Sequence, residues 1–120
     1  MTTEDLFEAT AKVVYSHDLS GNFTFVNEAG ERISGYSREE VCRMNIAEVV
    51  APEIASHICE RVIREATKNV GTVYEVEIIA KGGRRVVLEI STRAVLRAGE
   101  PIGIEGIAVR PVLQRLARQD

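Results

Sequence analysis

A chain of 120 residues has the length of one domain, and 45% hydrophobic residues are enough for a real core. With 5% aromatics and no Trp, that core must be mostly aliphatic, and a formal net charge of -3 without a basic block excludes the footprint of nucleic-acid binding. No apolar run approaches the ~18 residues of a membrane span and no signal-peptide pattern opens the chain, so the segment reads as cytoplasmic, without membrane contact.

In chain order, Thr3 to Thr10 has the pattern of a short amphipathic helix, with Thr3 as N-cap, Glu4 and Asp5 in the first turn and Leu6 and Phe7 apolar. Val13-Val14-Tyr15 is β-branched and aromatic, the mark of a strand. Ser20-Gly21-Asn22 is turn chemistry, and Phe23 to Val26 returns as the second strand of a hairpin. Asn27 then caps a helix over Glu28 to Ile33, which Gly35 ends. Ser37 and Glu40 form a capping box for a helix from Arg38 to Met44, and Ile46 to Val50 reads as another short turn.

Pro52 suits the first position of the longest predicted helix, Pro52 to Lys68, which Gly71 stops. Its apolar stripe centres on Val62. Strands follow over Val73 to Ile79, Arg85 to Leu96 and Ile102 to Val109, joined by turns at Lys81-Gly82-Gly83 and Ala98-Gly99-Glu100-Pro101. Pro111 breaks the last strand, and Val112, Leu113 and Leu116 open a helical pattern. Two strands, several helices and three strands predict an α+β fold, with helices on one face of a five-stranded antiparallel sheet. The two cysteines, Cys42 and Cys59, lack metal-ligand spacing and read as reduced core thiols.

Five features together resemble a PAS domain over about Leu6 to Val109: Asp18-x-x-Gly21, Asn27 after the second strand, Gly35-Tyr36-Ser37 before Glu39-Glu40, the Lys81-Gly82-Gly83-Arg84 hairpin, and Gly99-Glu100-Pro101-Ile102-Gly103. The resemblance implies a sensory module of bacterial signal transduction that performs no catalysis. It divides the chain into an N-terminal flanking helix (1–12), a PAS core (13–110) and the start of a C-terminal signalling helix (111–120). It further implies a segment of a longer regulator, such as a histidine kinase or diguanylate cyclase, with a covalently linked effector. Many relatives close the last strand with an Asp-Ile-Thr triad, and here Arg110-Pro111-Val112 stands in its place. The hairpin has Gly82-Gly83 where relatives often have Asp-Gly, and both suit the same turn.

Cofactor chemistry is argued against on the residues. Haem-binding relatives place their ligand on the long helix, but His57 falls on the side opposite the apolar stripe. Photosensory relatives need a reactive Cys and a Gln that bonds the flavin. Aligned on Asn45, Ile46 takes the first position, Cys42 is out of register, and Ala108 takes the second. Ser16-His17-Asp18 holds the residue types of a hydrolase triad, but neighbours on a strand point to opposite faces and no nucleophile elbow is present.

What remains is an apolar pocket between the helices and the sheet. Its candidates are Ile33, Val41, Ile46, Val49, Ile58 and Val62 from the helices, and Ile104, Gly106 and Ala108 from the last strand. Gly106 and Ala108 are small and are expected to leave room, and no charged or aromatic residue is expected to point inward. The leading reading is a sensor for a small apolar or weakly polar ligand that relays its state through a homodimer. Leu6, Phe7, Val112, Leu113 and Leu116 are the candidate dimer contacts. The alternative is a ligand-free dimerisation and interaction module. A small enzyme is the weakest reading, because no acid, base and nucleophile converge.

Overall fold

The computed structural model describes residues 11–67 and 73–111. The predicted flanking helices, with Leu6, Phe7, Val112, Leu113 and Leu116, lie outside the described residues. Five strands, β1 (Val13–Asp18), β2 (Phe23–Val26), β3 (Val73–Ile79), β4 (Arg85–Arg97) and β5 (Glu100–Val109), form one sheet in the order β2-β1-β5-β4-β3. Every neighbouring pair is antiparallel. Among the described residues, the chain between β2 and β3 crosses one face in five short helices: α1 (Glu28–Ser34), α2 (Arg38–Val41), α3 (Ile46–Val49), α4 (Pro52–Ala55) and α5 (Ile58–Thr67).

Helices this short are marginal alone, so their ends must be held. Asn27 holds the first. Its Oδ1 accepts from the backbone N–H of Gly30 and of Val14, both at 3.1 Å, and its Nδ2 donates to the Lys12 carbonyl at 2.9 Å. One side chain therefore caps α1 and pins it to β1. Gly35 ends α1 in the left-handed conformation, φ 79°, where a side chain would be strained. Ser37 and Glu40 form the predicted capping box on α2, which ends at Val41 rather than Met44.

Asn45 makes the second joint. Its Oδ1 accepts from Ala47 N–H on α3, while its Nδ2 donates to the Ser20 carbonyl and to Asn22 Oδ1, each at 2.9 Å. The β1–β2 turn it grips is itself organised by Asp18. That carboxylate accepts from the N–H groups of Ser20 and Asn22 at 3.0 and 2.9 Å, and Gly21 takes φ 90°. Farther along, Ala51 N–H donates to the Glu77 carbonyl, and Lys81 N–H to the Ser34 carbonyl, so the crossing is also tied to β3 and its hairpin.

The predicted helix from Pro52 to Lys68 is two helices. Ile54 N–H bonds the Ala51 carbonyl and His57 N–H bonds the Ile54 carbonyl, three-residue spacings that tighten the chain and interrupt the run. After the break, α5 buries Ile58, Val62 and Ala66 at a four-residue spacing and packs on β4. His57 sits in the break and is exposed. Cys42 is not a core thiol, being exposed at the end of α2, whereas Cys59 is half-buried against the edge of the core, its Sγ 3.5 Å from the Ser20 carbonyl. The core is aliphatic as composition requires, built from Val13, Ile33, Ile58, Val86, Ile104 and their neighbours.

Val62→Ala should cost about 1–3 kcal/mol, from lost methyl burial plus a residual cavity. His57→Ala should change stability by less than ~0.5 kcal/mol, as for an exposed site. Urea melts of both variants check the order, and the reverse order would mean that α5 presents a different face to the sheet.

Candidate functional site

The inner face of the sheet is set by strand alternation. On β1 it carries Val13, Tyr15 and His17, which lie opposite Ala108, Gly106 and Ile104 of β5. On β4 and β3 it carries Val86, Leu88, Ile90, Val76 and Ile78. Between this face and the helices lies a cavity of about 90 Å³.

β2 contributes through an irregularity. Tyr15 pairs with Val26 and Ser16 with Phe25, but His17 pairs with Phe23, so Thr24 is an extra residue in the ladder. In a regular strand Phe23 and Phe25 would share a face. The bulge divides them. Phe23 turns inward beside His17 and lines the cavity, whereas Phe25 stays outside, 38% exposed, with the Arg38 guanidinium 5.0 Å above its ring. Thr24 hydroxyl meets that of Ser16 at 2.6 Å.

The inward rings form a triangle. The centroids of Tyr15, His17 and Phe23 lie 6.1–6.3 Å apart, with Phe23 edge-on to both others. This corrects the expectation that nothing aromatic points inward. The signal was present in the alternation Val13, Tyr15, His17, which places both rings on the face of the buried Val13.

Seven of the nine candidates line the cavity: Ile33, Val41, Ile46 and Val49, then Ile58 and Val62 of α5, and Ala108 of β5. Ile104 is buried on the same sheet face but does not reach the cavity wall. Gly106 does not line it either, and the room it leaves is filled. A Cβ there would overlap the Tyr15 ring, which lies directly across it. Gly106 thus serves the position of Tyr15, and Tyr15 in turn bounds the space.

His17 is 3% exposed. Its Nδ1 lies 2.7 Å from the Asp18 carbonyl. A carbonyl only accepts, so Nδ1 carries the proton, and in the neutral ring Nε2 is left as an acceptor. Nε2 is buried and has no hydrogen-bond partner. Burial pushes the His17 pKa below its ordinary value, outweighing the bond to Asp18, which acts the other way. Burial also raises the Tyr15 phenol well above its usual range. No Asp, Glu, Lys or Arg lines the cavity. Across it, Ser34 is buried, with its Oγ accepting from Tyr36 N–H at 3.2 Å.

The residues do not fit the cofactors of relatives. His57 is exposed and does not line the cavity, and Cys42 is exposed. Ile46 and Ala108, at the positions where flavin chemistry needs a thiol and an amide, are apolar wall. The volume of about 90 Å³ is also below the ~150 Å³ of a cavity that admits benzene, far short of a haem or flavin ring system. No triad forms at residues 16–18. The His17 ring is tied to the neighbouring carbonyl, and the Asp18 carboxylate is spent on its turn. Among the described residues no group of His, Cys, Asp and Glu is arranged to hold a metal ion.

The buried histidine makes stability depend on pH. The folded-state pKa of His17 lies below the unfolded value of about 6.5, so between the two the unfolded chain binds the extra proton and stability rises with pH. Stability should be full above pH ~7 and fall by up to about 1.4 kcal/mol per unit as pH drops below ~6.5, levelling once the folded pKa is passed. Asp18, held low first by the Asn22 N–H, adds a loss of the same sign at more acidic pH. Urea melts at pH 7.5, 6.5 and 5.5 should show a slope that His17→Phe flattens, and equal slopes would refute the assignment.

The family model described as PAS fold matches residues 3–108. Among solved structures, a PAS domain from Colwellia psychrerythraea is 22% identical, with 89% of this chain and 92% of that chain covered and a TM-score of 0.73. A domain of a sensory box sensor histidine kinase/response regulator from Geobacter sulfurreducens is 23% identical, with 88% and 89% covered and a TM-score of 0.66. A PAS domain from Desulfitobacterium hafniense is 14% identical, with 88% and 98% covered and a TM-score of 0.71. No curated protein matches the chain. No helix among the described residues is long and apolar enough to cross a membrane. A family match over nearly the whole chain, on an antiparallel sheet in the order β2-β1-β5-β4-β3 with its helical crossing on one face, means that this chain belongs to the PAS family of sensory domains.

Proposed function

We propose that this domain senses a small, largely apolar molecule in the cavity between its helices and sheet. On this reading it passes the bound state to a linked effector through its flanking segments, residues 1–12 and 111–120, within a homodimer. The observation that carries the reading is the cavity itself: set between helices and sheet, walled by aliphatic side chains and the rings of Tyr15, His17, Phe23 and Tyr36, and lined by no Asp, Glu, Lys or Arg. Similar folds in sensor histidine kinases support a signalling setting and a covalently attached effector. The seven wall candidates are the ligand contacts on this reading. Leu6, Phe7, Val112, Leu113 and Leu116 supply the apolar seam of the dimer.

The second reading is an interaction module that needs no ligand. The outer sheet face favours it, because Val14, Phe25 and Ile107 are 38–49% exposed there. Native mass spectrometry of protein purified under mild conditions separates the two. A stoichiometric small-molecule adduct supports sensing, and an empty dimer supports the second reading. The absorbance spectrum from cells supplied with haem precursor and riboflavin should show neither a Soret band nor flavin absorbance near ~450 nm, because His57 lies off the wall and Ile46 and Ala108 offer flavin neither thiol nor amide.

The seam is short, so the dimer should be weak, roughly micromolar or worse. Sedimentation equilibrium should show association for the intact chain and its loss in a Phe7→Glu/Leu113→Glu double variant. Equal behaviour of the two proteins, monomeric or dimeric, would remove the chain ends from the interface.

A further inference from the structure

The cavity has one polar feature that packing leaves unexplained. Among the buried side chains lining it, His17 places a ring whose Nε2 has no hydrogen-bond partner. An unmet buried acceptor is costly, and a native fold retains one where something else satisfies it. The ring cannot rotate freely to find a partner. Nδ1–H is held by the Asp18 carbonyl at 2.7 Å, and Tyr15 and Phe23 flank the imidazole.

The imidazole is also kept neutral by its surroundings. Ile104 lies opposite on β5, the rest of the cavity wall is aliphatic and aromatic with the Ser34 hydroxyl and no ionised side chain, and the Asp18 carboxylate is turned into its own loop. A neutral acceptor in an uncharged wall favours a donor that is itself uncharged, since a buried unpaired ion would pay a large desolvation penalty. The volume bounds the size. About 90 Å³ is less than the ~150 Å³ that admits benzene, which leaves space for a molecule of roughly four or five heavy atoms.

We propose that the cavity binds a small uncharged molecule with an apolar body and one hydrogen-bond donor, an O–H or N–H that donates to Nε2 of neutral His17. This rests on the sensing reading above and sharpens it, because it states which chemical group the sensor distinguishes. A short-chain alcohol has the required chemistry, whereas an ether of equal size lacks only the donor and a carboxylate of the same carbon number adds a charge and one oxygen.

The test titrates uniformly ¹⁵N-labelled protein at pH 7.5 with 1-butanol, methyl propyl ether and sodium butyrate, reading backbone amides and the imidazole nitrogens. The chain has two histidines, so the exposed His57 is an internal control. The expected result is saturable binding of 1-butanol with an upfield shift of the His17 Nε2 resonance and none at His57. The ether should bind about 10-fold more weakly, as expected for leaving a buried acceptor unmet. Butyrate should bind more weakly still. His17→Phe should bind alcohol and ether alike, and His17→Gln, which keeps an acceptor, should retain part of the preference and guards against a misfolded Phe variant.

Equal binding of alcohol and ether by the wild-type protein overturns the proposal and leaves the sensing reading standing. So does a preference for butyrate, or an alcohol preference that survives in His17→Phe. Failure of all three probes to bind at tens of millimolar overturns the proposal, and the native mass spectrum then decides the sensing reading separately.

Discussion

The structure depends on how the crossing between β2 and β3 is fastened to the sheet. Its helices run four to ten residues, too short to hold themselves, and they form no continuous layer. Two asparagines supply the fastening. Asn27 joins α1 to β1, and Asn45 joins α3 to the turn between β1 and β2. Each uses both ends of its amide, so each satisfies donors and acceptors that a helix end or a turn would otherwise leave open. Ion pairs add to this at the surface: Lys81 meets Glu40 at 2.8 Å, and Arg85 meets both Glu53 and Glu77. Such exposed pairs are individually weak, so the asparagines dominate.

This mode of attachment accounts for the cavity. A helix held by its own packing is drawn down until its side chains interdigitate with the sheet. Here much of the crossing is instead held at its ends, at heights set by hydrogen-bond lengths. α5, the longest helix, is the exception, since it packs Ile58, Val62 and Ala66 against the sheet. The space that persists lies between the helices, α5 included, and the inner face of the sheet. The three rings of Tyr15, His17 and Phe23 occupy that region without filling it. The single buried imidazole among the described residues therefore lies on the wall of this space.

Much of the fold was legible because its signals are local. Asn27, Gly35 and the Ser37–Glu40 box each act within a few residues, and the structure uses each for the purpose its type suggests. Gly21 likewise marks its turn. The features that escaped depend on partners distant in sequence. Nothing local separates Phe23 from Phe25, because the bulge exists only in the pairing with β1. The break at residues 56 and 57 carries neither Gly nor Pro to announce it. Gly106 looked like free volume because its size is visible in the sequence, while the ring lying across it is not. Cys42 looked like core by residue type, yet it sits at the exposed C-cap of α2.

The extra residue in β2 has a meaning for how such a pocket could diverge. Substitution is not the only route to a new lining. Deleting Phe23 would regularise the ladder and bring Thr24 opposite His17, exchanging an aromatic wall for a hydroxyl beside the imidazole, while deleting Thr24 would keep the ring in place. Which residue is lost from this four-residue edge strand thus selects between two interiors. Descendants of this domain could change what they recognise by an insertion or deletion at the rim, with every other wall residue untouched.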